Sequence, residues 1–253
     1  MELNGTSVII TGGASGLGEA TARLFARSGA HVAILDMDEK NLSRIADEIG
    51  GLGIPCDVSS ETHILTALER IKIKFGPARV LVNCAGIATA GKIVGKKGPL
   101  PLADFEKTLR VNLTGTFNMM RLAAAAMADL APLTDGERGV MIATASVAAY
   151  EGQIGQVAYA ASKGGIVSLT LPAARDLSPL GIRVNTIAPG LFMTPLLGSL
   201  PEESIHQLSS SIPFPARLGL SEEYALLAKH IVENRYINGE TIRLDGALRM
   251  PPK

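Results

Sequence analysis

Short apolar runs recur along the chain at residues 8–11, 31–36, 53–57, 80–83, 140–146, 183–189 and 241–244, with longer stretches of helical spacing between them. Short, continuous apolar runs predict strands covered on both faces, and their alternation with helices predicts βαβ units in a parallel sheet. The expected fold class is therefore α/β: one doubly wound, seven-stranded, mostly parallel sheet with helices on both faces.

Helices are expected at 19–28, at 38–49, at 102–130 and from Tyr159 onward. The 102–130 stretch is rich in alanine and apolar almost all round, which predicts burial on more than one side. The helix opening near Tyr159 carries Gly164, Gly165, Ile166 and Val167, then Pro172, which should kink it. One sheet layer cannot cover both helices, so packing against further subunits is expected. Segment 91–101 is too rich in glycine and proline for a regular element. Segment 191–220 reads as an apolar, loop-like lid containing Leu191, Phe192, Met193, Leu196, Leu197 and Leu200. With no repeat, linker or low-complexity tract, residues 1–253 read as a single domain.

Composition narrows the class. A chain of 253 residues that is 47% hydrophobic can bury a large core. A formal net charge of zero gives nucleic acid and anionic membranes no electrostatic preference, and no run reaches the roughly 18 apolar residues of a membrane span. Strand-like sequence starts within the first ten residues, which predicts no signal or transit peptide. Cys56 and Cys84 fall near strand ends and read as reduced core thiols, consistent with a cytoplasmic location. His31, His63, His206 and His230 show no metal-ligand spacing, so no metal is expected.

Three stretches carry chemistry. The first strand runs into Thr11-Gly12-Gly13-Ala14-Ser15-Gly16-Leu17-Gly18, where glycines at 12, 16 and 18 allow a tight turn, close backbone approach to a pyrophosphate and close helix packing. The second strand ends on Asp36, where a carboxylate can accept from both adenosine ribose hydroxyls and would repel a 2′-phosphate. Met37, Ala14 and Ser15 supply no cation for that phosphate, so NAD is favoured over NADP; the alternative for Asp36 is a helix cap. Third, Ser146 ends a strand, Tyr159 follows thirteen positions later, and Lys163 lies one helical turn beyond it on the same face. A lysine beside that phenol would lower a pKa that starts near ~10 and ready it for proton exchange. The alternative is a surface helix pair.

Taken with Asn83-Cys84-Ala85-Gly86, Asn112 and Pro189-Gly190, these motifs resemble, in order and over nearly the whole chain, those of the short-chain dehydrogenase/reductases. The longer wordings TGGASGLG, VNCAGIA and RLDGALRM are most similar to the branch that acts on 3-hydroxyacyl-CoA esters. The resemblance implies a Rossmann-type domain in which Gly12, Ser15, Gly16, Leu17 and Gly18 line the phosphate turn. It implies that Asp57 and Val58 flank the adenine, and that Asn83, Cys84, Ala85 and Gly86 run beside the cofactor. Pro189, Gly190, Phe192 and Thr194 would meet the nicotinamide side, and Asn112 would hold, through its backbone carbonyl, a water relaying protons to Lys163. Ser146, Gln153, Gln156 and Tyr159 would bind substrate. Cys84 stands where an asparagine is common and reads as packing.

The implied activity is NAD-dependent oxidation of a 3-hydroxyacyl-CoA by a homotetramer, with Tyr159 as the base. Lys92, Lys96 and Lys97 could meet CoA phosphates or form a solvated loop. Rival expectations are 3-oxoacyl-carrier-protein reduction, oxidation of steroids or simple alcohols, and a dinucleotide-binding scaffold without turnover.

Overall fold

The computed structural model describes residues 1–96, 98–194 and 202–252. Lys97 and the lid residues Leu196, Leu197 and Leu200 lie outside the described residues. Seven parallel strands form the main sheet: β1 (Ser7–Thr11), β2 (His31–Asp36), β3 (Leu52–Pro55), β4 (Val80–Asn83), β7 (Gly139–Thr144), β8 (Ile182–Pro189) and β9 (Thr241–Leu244). Between β4 and β7 the described residues of the glycine-rich segment form a two-residue antiparallel ladder, β5 (Val94–Gly95) with β6 (Gly98–Pro99).

The main sheet has the order β3-β2-β1-β4-β7-β8-β9, so the winding direction reverses between β1 and β4. Thr11 pairs with both Leu35 and Asn83, and Asn83 pairs with Ala143, which brings the carboxyl ends of the central strands level. A crevice opens at such a reversal because the helices that follow the two strands leave on opposite faces.

Successive strand residues serve opposite faces. Val8, Ile10, Ile34, Val82 and Ile142 pack on one side with Phe25 of α1 (Gly16–Arg27) and Leu42 of α2 (Glu39–Glu48). Ile9, Leu35, Leu81, Met141 and Val184 pack on the other with Ile64 and Ile71 of α3 (Glu61–Phe75). Asp38 caps α2 by accepting from the Asn41 N–H at 3.2 Å, which leaves Asp36 free of the capping role that was its alternative.

The helix expected at 102–130 is three pieces: α4 (Leu102–Leu109), a π turn over Arg110–Thr114, and α5 (Gly115–Ala128). The inserted π residue shifts the helical phase, so one apolar pattern serves two differently oriented faces. The next helix, α6 (Val157–Leu177), runs unbroken through Pro172. The lid segment contains α7 (Glu202–Ser210), and α8 (Ser221–Glu233) follows it. No helix among the described residues is long and apolar enough to cross a membrane.

Candidate active site

The crevice at the strand reversal is a cleft of about 750 Å³. Its adenosine end is lined by Asp36, Met37, Cys56, Asp57 and Val58, and its floor by Cys84, Ala85 and Gly86. Ser146, Gln156, Tyr159 and Lys163 line it at the far end, beneath Pro189, Gly190, Phe192 and Thr194.

The glycine loop fits a dinucleotide pyrophosphate. Gly12 lies at φ 66°, and a Cβ there would stand 2.7 Å from the Ala85 nitrogen. A Cβ on Gly18 would stand 2.1 Å from the Gly12 carbonyl oxygen, so the first turn of α1 closes on bare backbone. Ser15 is the N-cap of α1 but makes no side-chain capping bond, and the N–H groups of the first turn face the cleft with Ser15, Gly16, Leu17 and Gly18 among its lining. Unpaired N–H groups and the positive end of the helix dipole together form a phosphate-sized anion site. The Asp36 carboxylate accepts from Ala14 N at 3.0 Å, Met37 N at 2.7 Å and Asp38 N at 3.1 Å. Three bonds of about four acceptor directions leave roughly one for a ribose hydroxyl, fewer than the two-hydroxyl grip expected from the sequence. Among the described residues Lys163 is the sole lysine or arginine lining the cleft, and it lies at the opposite end.

Ser146 falls two residues beyond β7, extended at φ −166°, with its Oγ accepting from Ala148 N at 3.1 Å. Lys163 is 5% exposed and donates from Nζ to the Thr144 carbonyl at 2.7 Å. Burial lowers its pKa from 10.5 to about 8, partly offset by the nearby Cys84. Its ammonium lies 5.7 Å from the centre of the Tyr159 ring. The expected lowering of the Tyr159 pKa is reversed: burial raises it and outweighs the opposing hydrogen bond with Ser146. The lysine's own bond runs to a strand carbonyl, and removal from water dominates the phenol.

Asn112 sits in the π turn with no exposed surface and does not line the cleft. Its amide clamps one peptide, accepting from Ile87 N at 2.8 Å and donating to Ile87 O at 2.9 Å, while also donating to Ser162 Oγ at 3.0 Å. Ser162 in turn donates to the Tyr159 carbonyl at 2.7 Å. The Asn112 carbonyl, in a turn without α-helical pairing, accepts from Thr116 Oγ1 at 2.7 Å.

Two expected site residues are placed elsewhere. Asn83 does not line the cleft: it is 2% exposed with neither amide atom hydrogen-bonded, while the next residue, Cys84, is among the lining. Gln153 is also absent from the lining: its Nε2 donates to the Pro251 carbonyl at 3.1 Å. Lys92 and Lys96 are exposed. Gly91 N donates to Gly155 O at 2.7 Å, so their loop sits beside Gln156. The Cys84 thiol has its pKa raised by burial and contacts Tyr224 Oη and Thr144 Oγ1 at 3.6 and 3.7 Å, which fits packing. Burial likewise pushes the Cys56 thiol up to about 11. No metal-holding cluster of three His, Cys, Asp or Glu residues occurs among the described residues.

Sequence reasoning missed Thr144, Tyr224 and Met250. Thr144 supplies the carbonyl that receives Lys163, and its hydroxyl lies 2.7 Å from the buried Tyr224 Oη. A threonine closing an apolar strand was the available signal for the first; Tyr224 and Met250 reach the site only through the tertiary fold.

A doubly wound sheet with a glycine loop, an acidic second-strand end and a Ser-Tyr-Lys cluster in one cleft defines a dinucleotide-dependent oxidoreductase. The short chain dehydrogenase family profile matches residues 6–204, and the chain belongs to that family. It is 55% identical over 254 residues to the human protein named 3-hydroxyacyl-CoA dehydrogenase type-2, covering 99% of this chain and 97% of that one. The Drosophila melanogaster protein of the same name is 51% identical over 96% of this chain and 97% of its own. A crystal structure of 3-hydroxyacyl-CoA dehydrogenase type-2 from Mycobacterium avium superposes with a TM-score of 0.95 at 46% identity, covering 98% of each chain. The protein is thus an oxidoreductase that takes a nicotinamide dinucleotide and a small-molecule substrate.

Proposed function

We propose that the protein is an NAD-dependent dehydrogenase interconverting (S)-3-hydroxyacyl-CoA and 3-oxoacyl-CoA esters of short or branched chain. The observation that carries the reaction class is the convergence of Ser146, Tyr159 and Lys163 in the same cleft as the glycine loop and Asp36. The thioester substrate is supported by the names of relatives sharing more than half their residues with this chain and by the apolar Leu191 and Phe192, which line the cleft at the start of the lid.

Bound in the cleft, the nicotinamide dinucleotide supplies the acceptor for the hydride that leaves substrate C3. The first turn of α1 binds its pyrophosphate, Asp36 a ribose hydroxyl, and Asp57 and Val58 the adenine. Ser146 Oγ donates to the substrate oxygen and fixes it beside Tyr159. As the C3–H and O–H bonds break and the carbonyl π bond forms, the hydroxyl proton passes to the Tyr159 oxygen. With a pKa of about 8, Lys163 is largely protonated at neutral pH and stabilises the phenolate that must form before the proton arrives. Asn112 fixes the Ile87 peptide and, through Ser162, the first turn of α6, and its carbonyl holds the water that replenishes the Lys163 proton.

The expected cofactor preference tests this reading. The Asp36 carboxylate repels a 2′-phosphate and no lysine or arginine among the described residues lines that end, so with (S)-3-hydroxybutyryl-CoA the kcat/KM for NAD should exceed that for NADP by at least ~10-fold. Comparable rates with the two cofactors contradict it.

We also propose that the single domain assembles as a homotetramer. Leu102 on α4, Phe117 on α5 and Leu171 on α6 are 68%, 55% and 44% exposed on the isolated chain, and two-fold pairing of these helices would cover them. Light scattering at micromolar concentration should give four times the chain mass; a monomer refutes it.

A further inference from the structure

After β9 residues 245–252 form a strap that brings Met250 into the lining of the cleft. Arg243 fixes its origin, donating to both oxygens of Glu151 at 2.7 and 2.9 Å, to Asp245 Oδ2 at 2.6 Å and to the Leu248 carbonyl at 3.0 Å. Its far end is fixed on the segment between Ser146 and Tyr159. There Gln153 Nε2 donates to the Pro251 carbonyl at 3.1 Å and Ile154 N donates to the Pro252 carbonyl at 3.0 Å. The strap is therefore held at both ends, and the single side chain between them that reaches the cleft is Met250.

Met250 also belongs to a cluster separate from the two cores that cover the sheet. Ile212, Leu218 and Leu248 are buried there, with Leu191, Ile205, Leu208 and Met250 packed against them. The described part of the lid thus rests on the strap. Residues of both line the end of the cleft that holds Ser146 and Tyr159, away from Asp36.

We propose that Met250 is a specificity-determining residue that forms the end wall of the acyl subsite, and that Gln153 is a positioning residue that holds this wall by tethering Pro251. The assignment rests on the hydroxyacyl reading of the same site for its substrate, but not for its geometry. A flexible thioether is suited to the place, since it fills an irregular apolar gap and yields to branched chains more readily than a β-branched residue would.

Shortening Met250 lengthens the subsite by roughly the extent of two or three chain atoms, and each methylene accommodated in an apolar pocket is worth about tenfold or more in kcat/KM. In the full-length enzyme with NAD, Met250→Ala should raise the ratio of kcat/KM for (S)-3-hydroxydecanoyl-CoA over (S)-3-hydroxybutyryl-CoA by about tenfold or more. The KM for NAD should stay the same, since Met250 lies away from the adenosine end. Gln153→Ala should move the ratio in the same direction through KM for the long ester, with kcat on the short ester retained. A fall in kcat for both esters without a change in ratio would mark Gln153 as merely structural. If Met250→Ala does not accumulate as folded protein, Met250→Phe reads the same wall from the other side and should lower the ratio. An unchanged ratio in a folded Met250 variant overturns the proposal. A parallel series of straight-chain secondary alcohols without CoA separates the two claims. A length shift there with no turnover of CoA esters supports the wall and overturns the thioester reading, whereas turnover of CoA esters with no length shift does the reverse.

Discussion

Tyr159→Phe is expected to lower kcat by ~10²–10⁴ while leaving the dinucleotide's glycine loop and Asp36 in place, because it deletes the hydroxyl that takes the substrate proton, together with its hydrogen bond to Ser146. The pH dependence follows from the same geometry. Burial raises the phenol's pKa, so Tyr159 is protonated at neutral pH and, on the proposed path, would serve oxidation only as it ionises. Oxidation should therefore climb as pH rises from 6 toward 10, and reduction, which uses the phenol as an acid, should persist across that range. Below its pKa of about 8 the buried Lys163 is an ammonium that favours the phenolate, so Lys163→Ala should depress oxidation most at and below that pH and move the limb to higher pH. Steady-state rates over that pH range check all three statements. Near-wild-type turnover in Tyr159→Phe, or a flat oxidation profile when chemistry limits the rate, contradicts the proton path.

Much of the fold was legible because the strand signal is local. Runs such as Val80–Asn83 are buried at every residue, and continuous apolar runs separated by helical patterns leave few alternatives to a parallel sheet. What was not legible depended on neighbours. The third strand stops at Pro55, short of the expected Asp57: Cys56 N still donates to the Asp36 carbonyl at 3.0 Å, but Asp57 N turns away to His63 Nδ1 at 3.3 Å and its carboxylate accepts from Ser59 N at 2.8 Å. The π turn around Asn112 left no mark on the apolar pattern, which reads as one helix, although within it the Asn112 carbonyl takes the Thr116 hydroxyl at 2.7 Å.

The site divides in the same way. The glycine loop, Asp36 and the Ser-Tyr-Lys spacing were readable because each is set by a strand end or a helical turn. Asn83 and Gln153 were assigned to ligands by their place in a motif, yet one is buried without a hydrogen-bond partner and the other bonds the strap. The direction of the Tyr159 shift could not be read from the spacing to Lys163. Spacing gives proximity, whereas the balance between charge and desolvation depends on how many walls enclose the ring. Met250 lies 87 residues beyond Lys163 by number, and only the return of the chain past β9 brings it to the cleft.

The central claim is that the cleft oxidises a CoA thioester rather than a bare alcohol or a steroid. Remote parts of a substrate contribute binding energy that orients the reacting carbon, and a truncated substrate loses it in kcat as well as in KM. Lys92 and Lys96 are exposed on a loop bridged to the cleft lining through Gly91 and Gln156, and on the proposed reading that loop would meet CoA phosphates while Leu191 and Met250 would meet the acyl chain. The direct test is one panel with NAD followed by NADH absorbance: (S)-3-hydroxybutyryl-CoA, free 3-hydroxybutyrate, a simple secondary alcohol and a hydroxysteroid. The CoA ester should exceed each of the others in kcat/KM by at least ~100-fold, whereas a steroid or simple alcohol turned over more efficiently than the ester would contradict the account.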